Sequence, residues 1–108
     1  MWLMTDFGFF SIVKKEGEGH LTVRARKKKD LLSLKQRYLP SAGAIETSDY
    51  TDYRYRIHVP GEAFAEALRD IAYPNFKSAV ARKQGKARAR VYEDVWHRLY
   101  GLQSGDCA

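Results

Sequence analysis

Five basic side chains alternate with apolar ones in two extended stretches of the sequence, LTVRAR and DYRYRIHV. They are Arg24, Arg26, Arg54, Arg56 and His58. Guanidinium groups at strand spacing suit phosphates, because each one can donate two parallel hydrogen bonds. Successive side chains of a strand point to opposite faces, so these five share one face of a sheet. The pattern therefore predicts a basic sheet face that binds RNA or DNA.

A solvated, charge-paired surface would produce the same alternation. Glu46, Asp49 and Asp52 are close enough in sequence to neutralise the arginines, and exposed ion pairs contribute little beyond solubility. The strand register also places Tyr53 and Tyr55 on the apolar side, which leaves no aromatic ring among the arginines for base stacking. Both interpretations of this face stay open at this point.

A second basic segment, RKQGKARAR at 82–90, lies around Gly85. Its cations are Arg82, Lys83, Lys86, Arg88 and Arg90. A glycine between two basic helix ends favours either a phosphate grip or a helix–turn–helix whose last helix enters a major groove. The alternative is a solvated helix junction. Phosphate contacts alone would give salt-sensitive binding without sequence specificity.

Enzymatic chemistry has little support in the sequence. The three histidines lack the spacing of metal ligands, both among themselves and relative to Cys107. Ser11, His58 and Asp52 have no nucleophile elbow around them, and there is no glycine-rich phosphate loop. Asp49 with Asp52 makes only a weak case for a metal-dependent nuclease. We therefore predict a non-enzyme with no catalytic residues, no metal site and no cofactor.

The elements that position these residues follow from hydrophobic periodicity. Strands are predicted at 2–5, 9–15, 21–26, 44–47 and 53–59. The first helix is expected to begin at Asp30, as a side-chain N-cap, and to end before Pro40. Later helices are predicted at 62–72, just after Asn75, and at 86–102. The last helix is amphipathic, with Val91, Val95, Leu99 and Leu102 along its apolar line.

Hairpins followed by helices predict an α+β fold. The expected architecture is an antiparallel sheet of about four to five strands, with helices packed on one face as a two-layer sandwich and with further helices at the C-terminal end. The apolar sides of LTVRAR and DYRYRIHV would then face the helices. The arginines would emerge on the opposite face.

Length and composition predict one domain over 1–103 and a frayed tail at 104–108. Hydrophobic residues make up 44% of the 108 residues, which is ample for a packed core. No apolar run is long enough for a membrane helix. The single cysteine cannot form an internal disulfide, so a cytoplasmic setting is predicted.

The net charge of +6 is concentrated in two short segments. Residues 24–29 and 82–90 hold ten of the 19 Lys and Arg residues and no acid. The rest of the chain contains all 13 Asp and Glu residues and is therefore mildly acidic. Such clustering predicts local fields that attract polyanions.

Five segments resemble a group of small, uncharacterised bacterial proteins. They are MWLMTDFGFFSIV at the start, LTVRAR, DYRYRIHV, YPNFK at 73–77 and VYEDVW at 91–96. The resemblance extends over almost the whole chain and implies a bacterial or phage origin. It implies no catalytic residue, because the members of that group have no established activity.

The sequence thus favours a small, non-enzymatic nucleic-acid-binding protein that uses the sheet arginines and the 82–90 segment. RNA and DNA are equal alternatives. A second hypothesis is a protein-interaction or inhibitor module, of a phage or plasmid type, that docks on an acidic or nucleic-acid-binding partner. A third is a homo-oligomer formed through a sheet edge or the aromatic last helix.

Overall fold

Five strands and four helices form the part of the chain that the structure describes, residues 1–14, 17, 19–72 and 76–104. The structure is a computed structural model. The strands are β1 (Trp2–Met4), β2 (Phe9–Val13), β3 (His20–Ala25), β4 (Glu46–Thr47) and β5 (Tyr55–Pro60). The helices are α1 (Lys28–Tyr38), α2 (Gly61–Ile71), α3 (Phe76–Gln84) and α4 (Lys86–Ser104). Ser104, the first residue of the predicted tail, ends α4. Residues 105–108 of that tail, and Asn75 ahead of α3, lie outside the described residues.

The strands form one sheet in the order β1-β2-β3-β5-β4, and all neighbouring strands are antiparallel. The register aligns Ile12 with Val23 and Val23 with Ile57, so these side chains share one face of the sheet. The predicted α+β fold with an antiparallel sheet and C-terminal helices is confirmed.

The hydrophobic core lies between that sheet face and helices α1 and α2. Its fully or nearly fully buried members are Phe7, Phe10, Ile12, Val23, Ala25, Leu31, Leu34, Leu39, Ile57, Val59, Phe64, Ala67 and Ile71. The strand residues among them alternate along β2, β3 and β5, and the helix residues recur at helical spacing. The apolar sides of both arginine-bearing strands therefore face the helices, as the alternation predicts.

A tight turn joins β1 to β2, and this turn contacts the first turn of α1. The Thr5 hydroxyl accepts hydrogen bonds from the backbone N–H groups of Phe7 and Gly8 and donates one to the Gly8 carbonyl. A Cβ on Gly8 would lie 2.7 Å from Cβ of Asp30, closer than real side chains approach. Glycine at this position allows the turn and the first turn of α1 to touch.

Asp30 does not cap α1, which corrects the prediction from the sequence. The helix begins at Lys28, and Lys27 is its N-cap without a side-chain hydrogen bond. Asp30 is the third residue of the helix and is 2% exposed. Its carboxylate accepts hydrogen bonds from the Phe9 backbone N–H and from Arg88 instead of from its own helix. A tertiary role therefore replaces the local one.

Helices α3 and α4 pack on each other at the C-terminal end of the domain. Gly85, with a φ of 87°, separates them. The apolar line predicted along α4 is mostly uncovered: Val91, Leu99 and Leu102 are each more than half exposed. On this helix Tyr92 is buried, at 7% exposure. The helix therefore rests on the domain by its first half and leaves an apolar surface beyond it.

Candidate nucleic-acid interface

A row of polar and charged side chains crosses the sheet face that lies opposite α1 and α2. The register aligns Ser11 with Arg24, Arg24 with Arg56, and Arg56 with Glu46. Residues directly opposite each other in antiparallel strands project to the same face. Arg24 and Arg56 are therefore neighbours on the face that the alternation predicts for them.

Tyr53 lies beneath two guanidinium groups on this same face. The Cζ atoms of Arg24 and Arg26 are 4.7 and 4.8 Å from the centre of its ring, within the range of a cation–π contact. The prediction that placed Tyr53 on the core side is wrong, because residues 51–54 bend and β5 begins only at Tyr55. Tyr55 itself packs against the core, as predicted. The buried Tyr53 ring holds both arginines in place.

Two of the five sheet residues contact carboxylates. Arg54 forms an exposed ion pair with Asp49 at 3.0 Å. His58 lies 2.7 Å from Glu46 through its Nε2 atom, and its Nδ1 atom is 3.2 Å from the Thr22 hydroxyl. The charge-paired interpretation of the face therefore applies to Arg54 and His58.

The other three sheet residues, Arg24, Arg26 and Arg56, have no carboxylate partner among the described residues. Arg24 donates to the Ser11 hydroxyl at 2.7 Å, and Arg56 donates to the Thr51 hydroxyl at 2.8 Å. The buried Nε atoms of Arg24 and Arg56 have no hydrogen-bond partner within the described part of the chain. Three guanidinium groups on one face thus keep their charge and part of their donor capacity.

The basic segment at 82–90 divides between the interior and the surface. Lys83 donates to the buried carboxylate of Asp6 at 2.6 Å. The Nη1 atom of Arg88 donates to both carboxylate oxygens of Asp30, at 3.0 and 2.9 Å. Lys83 and Arg88 are therefore engaged in ion pairs that fasten the C-terminal helices to the β1–β2 turn and to α1.

Arg82, Lys86 and Arg90 are exposed. Lys86 and Arg90 line a groove of about 800 Å³ between α3 and α4, together with Trp96 and His97. The structure does not bring these cations together with the sheet arginines in one cleft. They form a second basic patch, on a different side of α4 from Arg88.

A separate groove of about 550 Å³ lies between the sheet and α4, beside the arginines. Trp2, Met4 and Phe9 line its sheet side, and Arg26 and Lys27 lie at its edge. The register places Trp2 opposite Ser11, hence on the same face as Arg24. Trp2 and Phe9 are aromatic neighbours that the sequence interpretation missed. Only their alternation with the core residues of β1 and β2 could have indicated them.

The charge states at the α4 end of this groove are set by burial and by one ion pair. Burial acts to lower the pKa of Arg88, but the hydrogen bonds and negative charge of Asp30 outweigh it, so the pKa is raised. For the Tyr92 phenol, burial acts in the other direction and raises the pKa. The hydrogen bond and positive charge of Arg88 offset this rise only in part. Near neutral pH the groove therefore borders a neutral phenol and a cation whose charge Asp30 balances.

No group of three or more His, Cys, Asp or Glu residues that could hold a metal occurs among the described residues. Across the same ranges, no helix has both the length and the apolar character to cross a membrane. Comparisons of the chain with protein-family models, curated proteins and solved structures find no match. The resemblance to small bacterial proteins therefore stays a prediction.

Proposed function

We propose that the protein is a non-enzymatic, cytoplasmic nucleic-acid-binding protein that holds the phosphate backbone on the sheet face opposite α1 and α2. The observation that carries this proposal is the stacking of Arg24 and Arg26 on Tyr53 beside Arg56, where none of the three arginines forms an ion pair with a described carboxylate. Contacts with Tyr53, Ser11 and Thr51 restrain these side chains, so binding a phosphate costs them less conformational entropy than an arginine without such contacts would lose.

The electrostatics of the face favour a polyanion over a small neutral ligand. Three cations on adjacent strands raise the local concentration of negative charge, and the effect falls with salt. Arg82, Lys86 and Arg90 add a second patch that can contact further phosphates of a longer strand. Such contacts carry no sequence information, so we expect weak base specificity and strong salt dependence.

A titration of fluorescently labelled RNA and DNA oligomers at several salt concentrations tests this proposal. Three phosphate contacts predict a slope of log affinity against log salt of about −2 for single strands. Arg26→Ala is expected to weaken binding and to make the slope shallower by about 0.7, because one phosphate contact is lost. Arg26 is the best site because it is exposed and its removal leaves no buried group without a partner.

Arg69→Ala is the matched control, since Arg69 is an exposed arginine of α2 on the opposite side of the sheet. The affinity of the Arg69→Ala variant for the oligomers and its salt slope should equal those of the parent protein. Absence of binding at low salt, or equal losses in the Arg26 and Arg69 variants, would contradict the proposal.

A second function, docking to protein through α4, has a specific observation in its favour. Trp96, Leu99, Tyr100 and Leu102 are each between 54% and 65% exposed on one helix. Contiguous apolar surface of this kind commonly marks an interface. The surface therefore offers apolar area to a partner.

The occupant that this surface fits is a second copy of the chain. Two α4 helices that pack antiparallel about Trp96 bring the same apolar side chains of both copies together. One self-complementary contact then buries both exposed surfaces.

Light scattering coupled to size-exclusion chromatography tests self-association. We expect a dimer at high micromolar concentrations and a monomer for Leu99→Glu, because a carboxylate placed in the apolar contact would be buried without a partner. Leu32→Glu is the control, because Leu32 is an exposed leucine that lies on α1 and not on the apolar surface of α4. A parent protein that stays monomeric at these concentrations would rule this function out.

A further inference from the structure

The groove between β1, β2 and α4 has an aromatic and aliphatic lining with cations at its edge, which suits a flat ring with an attached anion. Trp2 and Phe9 line one side, and Val91 and Val95 of α4 line the other. Its volume of about 550 Å³ is in the range of small-ligand sites. We infer that it holds one unstacked base of a single strand, an inference that rests on the proposed nucleic-acid binding.

Trp2 is the stacking platform of this site. Its side chain is 69% exposed although its ring contacts Phe9 edge to face, with 5.9 Å between the ring centres. The ring is thus supported by a neighbour and still offers area to a ligand. Base stacking on such a ring is tolerant of sequence, since every base has a π-face.

The spacing across the sheet connects this platform to the phosphate-binding arginines. Trp2 is paired with Ser11, and Ser11 is paired with Arg24. Neighbouring strands are about 4.8 Å apart, so the backbones at Trp2 and Arg24 are about 10 Å apart. Ser11, between them, is 2% exposed, and the Arg24 guanidinium donates to its hydroxyl at 2.7 Å. A base on Trp2 and a phosphate of the following nucleotides on Arg24 or Arg26 can span this separation.

The electrostatics of the groove suit the same ligand. Arg26 and Lys27 lie at its edge, and both are exposed. The carboxylate that lines the groove, Asp30, has both oxygens bound by Arg88. An approaching phosphate therefore meets two available cations and a carboxylate whose charge is already balanced.

A duplex cannot use this site without losing a base pair. Its bases are stacked and paired, and turning one out costs a few kcal/mol. In a single strand the base is unpaired, so turning it out costs much less. The groove therefore predicts a preference for single-stranded over double-stranded nucleic acid that the arginine face alone would not produce.

Trp2 fluorescence and Trp2 substitutions test the inference directly. In a Trp96→Phe background Trp2 is the only tryptophan, so its emission reports on the groove alone. We expect quenching by an oligothymidylate and none by a duplex of the same length. Trp2→Ala should weaken binding of the single strand by about 5- to 150-fold and leave the duplex affinity unchanged.

Two further variants make the result decisive. Trp2→Phe keeps a ring, so it should retain most of the affinity and also serves if Trp2→Ala folds poorly. Tyr50→Ala removes a tyrosine that is 99% exposed and outside the groove, and it should bind as the parent does. Salt-dependent binding without Trp2 quenching, or equal loss for single strand and duplex, overturns the groove assignment and leaves the proposed function standing. Absence of binding to either oligomer would contradict the proposed function itself.

Discussion

Asp30 is a carboxylate in the protein interior whose charge is balanced by an arginine 58 residues later in the chain. Its position in the first turn of α1 suits a carboxylate, because the N-terminus of a helix carries a partial positive charge. The Phe9 backbone N–H supplies one further hydrogen bond. Arg88 is nevertheless the cation that pairs with both oxygens of this buried carboxylate.

Arg88→Ala should therefore destabilise the protein by about 3–5 kcal/mol, because it leaves a buried carboxylate without its cation. Chemical denaturation followed by circular dichroism measures this loss. The stability of Arg88→Lys should lie between those of the parent protein and Arg88→Ala, since lysine keeps the charge but not the reach and geometry of the guanidinium group.

Arg90→Ala provides the control, since Arg90 is an exposed arginine two residues further along the same helix. It should change the free energy of unfolding by less than about 0.5 kcal/mol. Equal effects of the Arg88 and Arg90 substitutions would show that the buried pair contributes no net stability.

At the scale of helices, the turn between α3 and α4 requires one glycine, Gly85. Gly85 has a φ of 87°, a conformation that L-residues with a Cβ adopt at a cost. An added Cβ would meet no atom within 4 Å, so the cost would come from the backbone alone. This turn lies between Lys83 and Arg88, and it directs one ion pair toward Asp6 and the other toward Asp30.

Gly85→Ala is expected to lower the free energy of unfolding by about 1–2 kcal/mol, since alanine is strained in the left-handed region. Gly85→Asn should cost less, because asparagine tolerates that region better. Urea denaturation of the three proteins measures the series.

Gly43→Ala is the matched control for the glycine series. Gly43 also has open space around its Cβ position, but its φ is not positive. The substitution there should be neutral or slightly stabilising, because alanine narrows the unfolded ensemble. A cost equal to that at Gly85 would show that the helix junction needs no left-handed residue.

The whole molecule has one sheet face sealed by α1 and α2 and one that carries the cations and exposed rings. Part of its net charge of +6 lies beside two grooves. Arg26 and Lys27 border the sheet groove, while Lys86 and Arg90 border the groove between α3 and α4. A single strand bound at the first groove would have to pass around α4 to reach the second, so the two patches suit a longer ligand or separate tasks.

Sequence periodicity was sufficient for the order of strands and helices and for the face on which Arg24 and Arg56 lie, but not for Arg54, which lies in the bend before β5. Alternation in β3 and β5 reports burial directly, because one face of each strand must meet the core. It failed at Tyr53, where the chain bends just before β5 and the ring turns under Arg24 and Arg26. It also failed at Asp30, which resembles a local cap but serves a tertiary contact.

The sequence by itself determined the α+β architecture, the clustering of charge and the shared face of the strand arginines, because periodicity and composition are local properties. Only the tertiary structure decided which cations are free. Lys83 and Arg88 look like Arg82 and Arg90 in the sequence, yet they meet Asp6 and Asp30, which are distant along the chain. Strand register likewise decided that Trp2 joins the arginine face, because pairing between strands is set by long-range hydrogen bonds and core packing.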